Sequence, residues 1–378
     1  MSERELDRLL RLIEERIDAV PTAEIDERAR RALRCEPVDR PPLVIQLGFG
    51  GRNPLPAPWS KFRYYPYRRT FTDPVAMMQN HLLDRVVTGM LLGDDSPLAI
   101  RNNHGTIQTA SFLGGRWEQR DDEFPWIWKF ERREQIEAAA ARPFDMNAGV
   151  FPQSIATLKF YHDKLAAFPR CRRAIQISLP DLQGPVDTAE QLWGSDIFYA
   201  FADSGDLLNR LMARVVDAQL LLAAEFRKLS VDRLDPFANT QHGCQTPGRL
   251  LIRNDTSIML SRAMYEEFVR PHDARLLKEI GGGSIHFCGN GEHLVDSMLA
   301  IPHLRSLDFG QPEMMDIPPI FARCRERAIP CIRLSPSRAD LLSGKARRDF
   351  PTACVLLYST SSFDDAVEVA RQWKGRGA

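Results

Sequence analysis

The sequence has no excess of charge, no long apolar run and no cysteine spacing typical of a disulfide framework. Its 50 basic residues balance 50 acidic ones, so the composition indicates neither a nucleic-acid surface nor a field for acidic ligands. No apolar run approaches the roughly 20 residues that span a bilayer, and residues 1–20 are charged throughout, unlike a signal peptide. Seven scattered cysteines, an odd number, are typical of free thiols in a reducing compartment. We therefore predict a cytoplasmic protein.

Two further absences narrow the fold. No internal repeat, low-complexity stretch or long linker divides the chain. No Gly-x-Gly-x-x-Gly motif follows the first apolar segment, which argues against an open sheet that binds a dinucleotide.

Short apolar segments alternate with helical patterns along most of the chain. One predicted helix begins at Asp73 and Pro74, where proline suits the first turn, and runs to about residue 91. The pattern predicts an α/β fold with a parallel sheet covered by helices, which we expect to close as a (β/α)8 TIM-type barrel over residues 31–378. The predicted strands are residues 43–47, 98–100, 174–179, 250–253, 284–288, 305–309, 331–334 and 354–358, with a weaker one at 231–237.

Residues 1–30 are predicted as a helical extension that precedes the barrel. Leu6, Leu9, Leu10, Ile13 and Ile17 recur at helical spacing, with charged residues between them. We expect an amphipathic helix that packs its apolar face on another part of the protein.

His286 and Cys288 form the most informative pair in the sequence. Alternation along a strand puts both side chains on one face, and imidazole and thiolate are both zinc ligands. Glycines at 281–283 and 289–291 bound the segment, so the pair lies where a strand ends, the usual place for chemistry in α/β proteins. The alternative is a buried histidine and a small apolar cysteine that only pack the core.

Polar residues after the second and third strands, and before the strand at 250–253, are further candidates. His104 and the neighbouring Asn103 supply more hydrogen-bonding groups than a turn needs. Residues 180–185 are either a rigid turn or a ligand-facing segment. His242 and Cys244 repeat the His-x-Cys spacing, but in a segment rich in Thr, Gln, Gly and Pro that predicts a mobile loop.

Two carboxylates near strand ends have two interpretations each. Asp255 follows the strand at 250–253 and is either a catalytic carboxylate or a helix N-cap. Glu313, close to Gln311, follows the strand at 305–309 and either completes a metal shell or stabilises a helix dipole.

Several motifs together resemble the uroporphyrinogen decarboxylase superfamily from about residue 31 to the C-terminus. They are Asp181-Leu182-Gln183-Gly184-Pro185, Asn254-Asp255-Thr256-Ser257, Tyr265-Glu266-Glu267-Phe268-Val269-Arg270-Pro271 and His286-Phe287-Cys288-Gly289. The resemblance implies a (β/α)8 barrel and one of two activities. One is cofactor-free decarboxylation of a tetrapyrrole, and the other is zinc-dependent methyl transfer between a corrinoid protein and a thiol. In the second branch the His-x-Cys motif binds zinc together with a later cysteine near the last strand.

The sequence departs from both branches. The decarboxylase motif Arg-Gln-Ala-Gly-Arg-Tyr-Leu-Pro is missing, and residues 47–69 form a different, still basic loop with Arg63, Arg68 and Arg69. The later cysteine would fall near residues 358–360, where there is none. Cys354 lies closer to the start of its strand, so we predict a core role for it.

We therefore predict a zinc-dependent methyltransferase with His286, Cys288 and Glu313 as metal ligands. The predicted catalytic residues are Asp255 and His104, and the predicted substrate-binding residues are Asn103, His242, Gln311 and Arg333. The corrinoid is expected on a partner protein, because the chain has no Asp-x-His-x-x-Gly cobalamin loop. The alternatives are a metal-free carboxy-lyase that acts on a tetrapyrrole or other small carboxylate, and a non-catalytic binding barrel.

Overall fold

The computed structural model describes residues 3–231, 238–241 and 243–375, and its centre is built from eight short strands in parallel pairs. They are β1 (Leu43–Leu47), β2 (Ala99–Arg101), β3 (Gln176–Ser178), β4 (Leu251–Arg253), β5 (Gly283–Phe287), β6 (Leu304–Phe309), β7 (Cys331–Leu334) and β8 (Cys354–Thr360). Six form one parallel sheet in the order β1-β8-β7-β6-β5-β4, while β2 pairs with β3 in a separate sheet. The predicted mixed α/β architecture with a parallel sheet is confirmed, but the hydrogen bonds form two ladders and not one closed ring of eight strands.

Polar groups bridge both places where the ladder is interrupted. Between β1 and β2, the N–H of Leu43 donates to Asp95 Oδ2 at 3.0 Å and the N–H of Ile45 donates to Asp94 Oδ2 at 2.6 Å. Between β3 and β4, Gln241 donates to the carbonyl of Leu179 at 2.8 Å and accepts from Arg253 at 2.9 Å. Side chains therefore satisfy two N–H groups of β1 and the carbonyl of Leu179 where no neighbouring strand does so.

Helices occupy most of the connections between the strands. Their apolar faces join one large core cluster that extends from the first helix to the last. The α-helices are Glu3–Glu14, Thr22–Leu33, Tyr67–Thr72, Pro74–His81, Thr88–Leu92, Gln108–Phe112, Arg133–Ala141, Phe151–Ala166, Pro169–Ala174, Pro185–Trp193, Ile197–Asp203, Gly205–Arg227, Arg262–Met264, Arg270–Ile280, Val295–Leu299, Ile317–Glu326, Arg338–Ser343, Lys345–Asp349 and Phe363–Gly375. The helix predicted to start at Asp73 is confirmed: the carboxylate accepts from the N–H of Val75, and a π-helical stretch at Leu82–Val87 links its two α-helical parts.

The predicted N-terminal amphipathic helix is present as Glu3–Glu14. Leu6, Leu9, Leu10 and Ile13 are fully buried. The C-terminal end of this helix makes a polar contact, because Glu14 accepts from the N–H of Cys171 at 2.7 Å. Whether residues 1–30 form a separate unit stays a prediction.

Two antiparallel hairpins were not predicted. Arg116–Glu118 pairs with Trp126–Trp128, in a segment for which no strand was predicted. Ala238–Gln241 pairs with Cys244–Pro247, where a mobile loop was expected, and Cys244 is fully buried. The loop prediction for Cys244 is therefore wrong. It failed because polar side chains obscured a strand that packs against the interior. His242 and most of the weak strand at 231–237 lie outside the described residues.

Within the described part of the chain, no helix combines the length and apolarity required to cross a membrane.

Asp95 offers a test of how the interrupted ladder is stabilised. Its side chain is 1% exposed, binds Arg28 at 2.7 Å, pairs with Arg40 and accepts from the N–H of Leu43. Asp95→Ala would leave a buried arginine and a strand N–H without their acceptor. We expect the free energy of unfolding, measured by chemical denaturation, to fall by about 3 kcal/mol or more.

Glu15→Gln is the control for Asp95→Ala, because it removes a surface ion pair with Arg16 in which Glu15 is 67% exposed. We expect it to change the free energy of unfolding by less than about 1 kcal/mol. Equal effects of the two variants would contradict the role given to Asp95.

Candidate metal centre

The parallel register of β4, β5 and β6 brings ligand-type side chains together at the carboxyl ends of these strands. Arg253 is aligned with His286, and His286 with Asp308. Asp255 and Cys288 each lie two residues beyond the aligned pair Arg253 and His286, just past the ends of β4 and β5. Because these two strand ends lie side by side, the side chains converge at one end of the sheet.

Asp255, His286 and Cys288 form the candidate metal centre. Their ligand atoms all lie within 4.8 Å of one another. His286 Nε2 is 3.5 Å from Asp255 Oδ1 and 3.4 Å from Cys288 Sγ. The N–H of Cys288 donates to Asp255 Oδ1 at 2.8 Å, which fixes the carboxylate beside the thiol. Nitrogen, sulfur and oxygen donors in one group are the ligand set that Zn²⁺ accepts in proteins.

Gly310 makes room for this group. It follows β6 directly, and its N–H donates to the carbonyl of Phe287 at 2.9 Å. A Cβ atom at this position would overlap Cys288 Sγ and come within 3.0 Å of His286 Cε1. The absence of a side chain at Gly310 therefore leaves the thiol and the imidazole free to face one another.

Asp308 and Arg333 hold the far side of the His286 ring. Its Nδ1 is 2.9 Å from the carbonyl oxygen of Asp308 and 2.7 Å from Arg333 Nη2, and Arg333 Nε donates to the Asp308 carboxylate. When Nδ1–H donates to the carbonyl, Nε2 keeps its lone pair and points at Asp255 and Cys288. This is the arrangement in which a histidine can bind a metal.

A β-bulge aims Arg333 at the centre. Ile332 pairs with Val355 and Leu334 pairs with Leu356, so Arg333 is an extra residue in β7. Its φ of 63° is in the left-handed region, a costly conformation for a residue with a side chain. Bulges of this kind redirect a side chain next to active sites.

Burial controls the charge of the candidate ligands. It lowers the pKa of His286, so the imidazole is a neutral ligand at pH 7. Burial and the neighbouring Asp255 carboxylate raise the pKa of Cys288 to about 11, so its thiol is protonated without a cation. A metal ion would reverse this preference, because it ionises a coordinating thiol.

Asp255 does not cap the helical turn Asp255–Met259 that follows β4. That role belongs to Asp187, whose carboxylate accepts from the N–H of Asp255 at 2.9 Å and of Thr256 at 2.8 Å. The carboxylate of Asp255 is therefore available to the centre, and this side chain is 44% exposed. The core-packing alternative for the His-x-Cys pair does not describe this group either, because Cys288 is only part-buried.

Glu313 is not part of the described ligand group, so the structure does not place it as the third ligand. It is exposed in a short turn, Pro312–Met314, after the chain has left β6 at Gly310. Asp255 occupies the corresponding place because its strand end is directly beside that of Cys288. Cys354 is fully buried at the start of β8, as the predicted core role requires.

The remaining predicted site residues are spread over the interior and the rim. His104 is buried, with Nδ1 3.0 Å from Ser154 Oγ, and its ring contacts Phe71. Asn103 and Arg333 line one interior cavity of about 220 Å³. Gln311 is exposed.

Asp308 and Asp187 were missed. The only sequence signal for Asp308 is an aspartate within the apolar strand Leu304–Phe309. Asp187 lies in the first turn of the helix Pro185–Trp193, where an acidic residue has an ordinary structural explanation.

No protein-family model matches the chain, and no curated protein shows significant sequence similarity to it. Among solved structures, a methyltransferase from Methanosarcina mazei has a similar fold, with a TM-score of 0.69 and 14% identity. The match covers 94% of this chain and 99% of that one. At this identity the likeness shows a shared fold.

Gly310→Ala should disturb the centre without unfolding the protein. The added methyl group would displace the Cys288 thiol or the His286 ring, so we expect the affinity for Zn²⁺ to fall by about tenfold or more. Competition with a chromophoric chelator measures this affinity. Gly48→Ala is the matched control, because Gly48 also follows a strand but its added Cβ would meet only ordinary contacts at 3.8 Å and beyond. Equal affinities in both variants would contradict the packing argument.

His104 should make stability depend on pH. Burial lowers its pKa to about 4, so between pH 6.5 and 4 the unfolded chain binds a proton that the folded chain does not. The free energy of unfolding should therefore fall as the pH drops through this range, and His104→Asn should remove up to about 3 kcal/mol of that loss. Denaturation at several pH values measures it. The same substitution at the exposed His303 is the control; a slope in His104→Asn that equals that of the control would refute the assignment.

Proposed function

We propose that the protein is a zinc-dependent methyltransferase that moves a methyl group between a corrinoid carried by a partner protein and a thiol or similar small acceptor. The observation that carries the proposal is the group formed by Asp255, His286 and Cys288 at adjacent strand ends. The fold shared with a methyltransferase is consistent with it.

The residues of the centre fit a catalytic zinc site. Three protein ligands of nitrogen, sulfur and oxygen type leave a fourth position for substrate. Asp255 is the third ligand in this proposal, in place of Glu313. When bound, the ion supplies the positive charge that keeps an acceptor thiol ionised at neutral pH.

The surrounding residues orient the centre and control protons. The Asp308 carbonyl holds the proton of the His286 ring at Nδ1, while Gly310 keeps space beside the thiol. Asp187 holds the turn that presents Asp255. Exposure of Asp255 and part-exposure of Cys288 leave the centre open on one side, where an acceptor and a methyl donor could approach.

Metal content and turnover test the proposal together. Purified protein reconstituted with zinc should contain about one ion per chain by elemental analysis, and Cys288→Ser or Asp255→Asn should lower that content. With methylcobalamin and a thiol, the methyl group should pass to the thiolate and leave cob(I)alamin, followed by its absorbance. Cys288→Ser should slow this transfer by at least about a hundredfold, because loss of a ligand removes the charge that ionises the thiol.

Glu313→Gln is the matched control, since it changes a nearby exposed carboxylate outside the described ligand group. It should retain both zinc and turnover. Zinc binding that is lost in Glu313→Gln but kept in Asp255→Asn would restore Glu313 as the ligand. Protein that cannot take up zinc would overturn the proposed function.

A further inference from the structure

A polar cavity of about 220 Å³ lies behind the metal centre, among the side chains of β2, β3 and β7. Three arginines line it, Arg85, Arg101 and Arg333, against a single aspartate, Asp84. The lining histidine His81 adds no charge, because burial lowers its pKa to about 3. Because Arg333 is paired with Asp308, the excess of positive charge comes from Arg85 and Arg101 against Asp84.

Arg101 carries most of this excess. Its guanidinium donates to Gln241 Oε1 at 3.2 Å, and within the described ranges it forms no ion pair with a carboxylate. Burial lowers the pKa of Arg101 to about 10, so it remains charged at pH 7. Arg85 Nε is 4.0 Å from Asp84 Oδ1, a weak pairing. Asp181 favours the charge of Arg101 electrostatically, but its carboxylate is paired with Arg253 at 2.6 Å. A part-buried guanidinium without a carboxylate in ion-pair contact is a suitable partner for an anion.

Ser178 supplies a second, independent observation. It is aligned with Arg101 across β2 and β3, and it lines the same cavity. Ser178 is only 2% exposed, and its buried hydroxyl has no hydrogen-bond partner among the described residues. Buried polar groups are normally paired, so an idle hydroxyl beside a guanidinium indicates a missing acceptor.

We propose that this cavity binds the anionic end, of carboxylate type, of a small organic substrate. Arg101 and Ser178 would donate to its oxygens, and Arg85 would add charge from the side. Because Arg333 lines the cavity and lies 2.7 Å from the His286 ring, the bound molecule would extend towards the metal centre. This inference rests on the proposed function only in naming that molecule as the methyl acceptor.

The volume limits the ligand. A cavity of about 220 Å³ is below the roughly 300–1,000 Å³ of sites for drug-sized ligands. A neighbouring cavity of about 410 Å³ shares His81, Asp84 and Asn103 with it and is lined by Tyr64 and Tyr67. The part of the acceptor that enters the cavity of about 220 Å³ is therefore limited to few heavy atoms.

Propionate is the probe, with neutral propionamide as its isostere, in calorimetric titrations of the full chain. Propionate should bind the wild type and propionamide should not. Arg101→Met should weaken propionate binding by about thirtyfold or more, because it removes one partner of an enclosed charge pair. The same variant should not destabilise the free protein, since it removes an uncompensated charge. Arg371→Gln, which removes an exposed arginine, should bind like the wild type.

Ser178→Ala is the second variant, and it should weaken propionate binding several-fold. It keeps the test decisive if Arg101→Met does not fold. Methanesulfonate and inorganic phosphate in place of propionate show whether the site prefers planar or tetrahedral anions; tighter phosphate binding would overturn the carboxylate assignment. Equal binding of propionate and propionamide, or unchanged affinity in both variants, would overturn the proposal.

Cys288→Ser should still bind propionate. Binding that survives in this variant separates the anion site from the metal centre, so either proposal can fail alone.

Discussion

The buried carboxylate of Asp308 is the interaction on which the rest of the site depends. It is fully buried at the end of β6, where it accepts from Arg333 and lies 3.5 Å from His286 Nδ1. A carboxylate in such a position is stable only with charged partners. Arg333 meets this need from a bulge in β7, and its bulge conformation is tolerated because the ion pair holds it. The orientation of the His286 ring follows from the same contacts.

Strand register explains why the centre has the ligands it has. Asp255 and Cys288 directly follow neighbouring strands whose last pair is Arg253 and His286, so the main-chain N–H of Cys288 can hold the carboxylate of Asp255. Glu313 follows a strand that is also adjacent, but it lies four residues beyond the end of that strand, in the exposed turn Pro312–Met314. A ligand is therefore selected by the direction of the chain after the strand, and proximity of strands is not sufficient.

The parts that were predictable from sequence depend on local patterns. The eight apolar segments could be recognised from the residue pattern of each strand alone. The same alternation predicted that His286 and Cys288 share one face. The helix that begins at Asp73 follows from capping chemistry. The role of Asp255, the bulge at Arg333 and the alignment of Arg101 with Ser178 depend on register between segments up to 77 residues apart, which no local pattern records. The Gln241 and Asp95 side chains that bridge the interrupted ladder were unpredictable for the same reason.

The two proposed sites are coupled through one side chain. His286 Nδ1 lies 2.9 Å from the Asp308 carbonyl and 2.7 Å from Arg333 Nη2, and only one of these two can share its proton or lone pair at a time. If Arg333 donates to Nδ1, the ring proton lies on Nε2 and the ring cannot bind a metal there. An anion in the cavity would compete for the Arg333 N–H groups and leave Nδ1–H to the carbonyl. Substrate charge would then favour the tautomer that the metal centre needs, which is a physical reason for placing an arginine between the two sites.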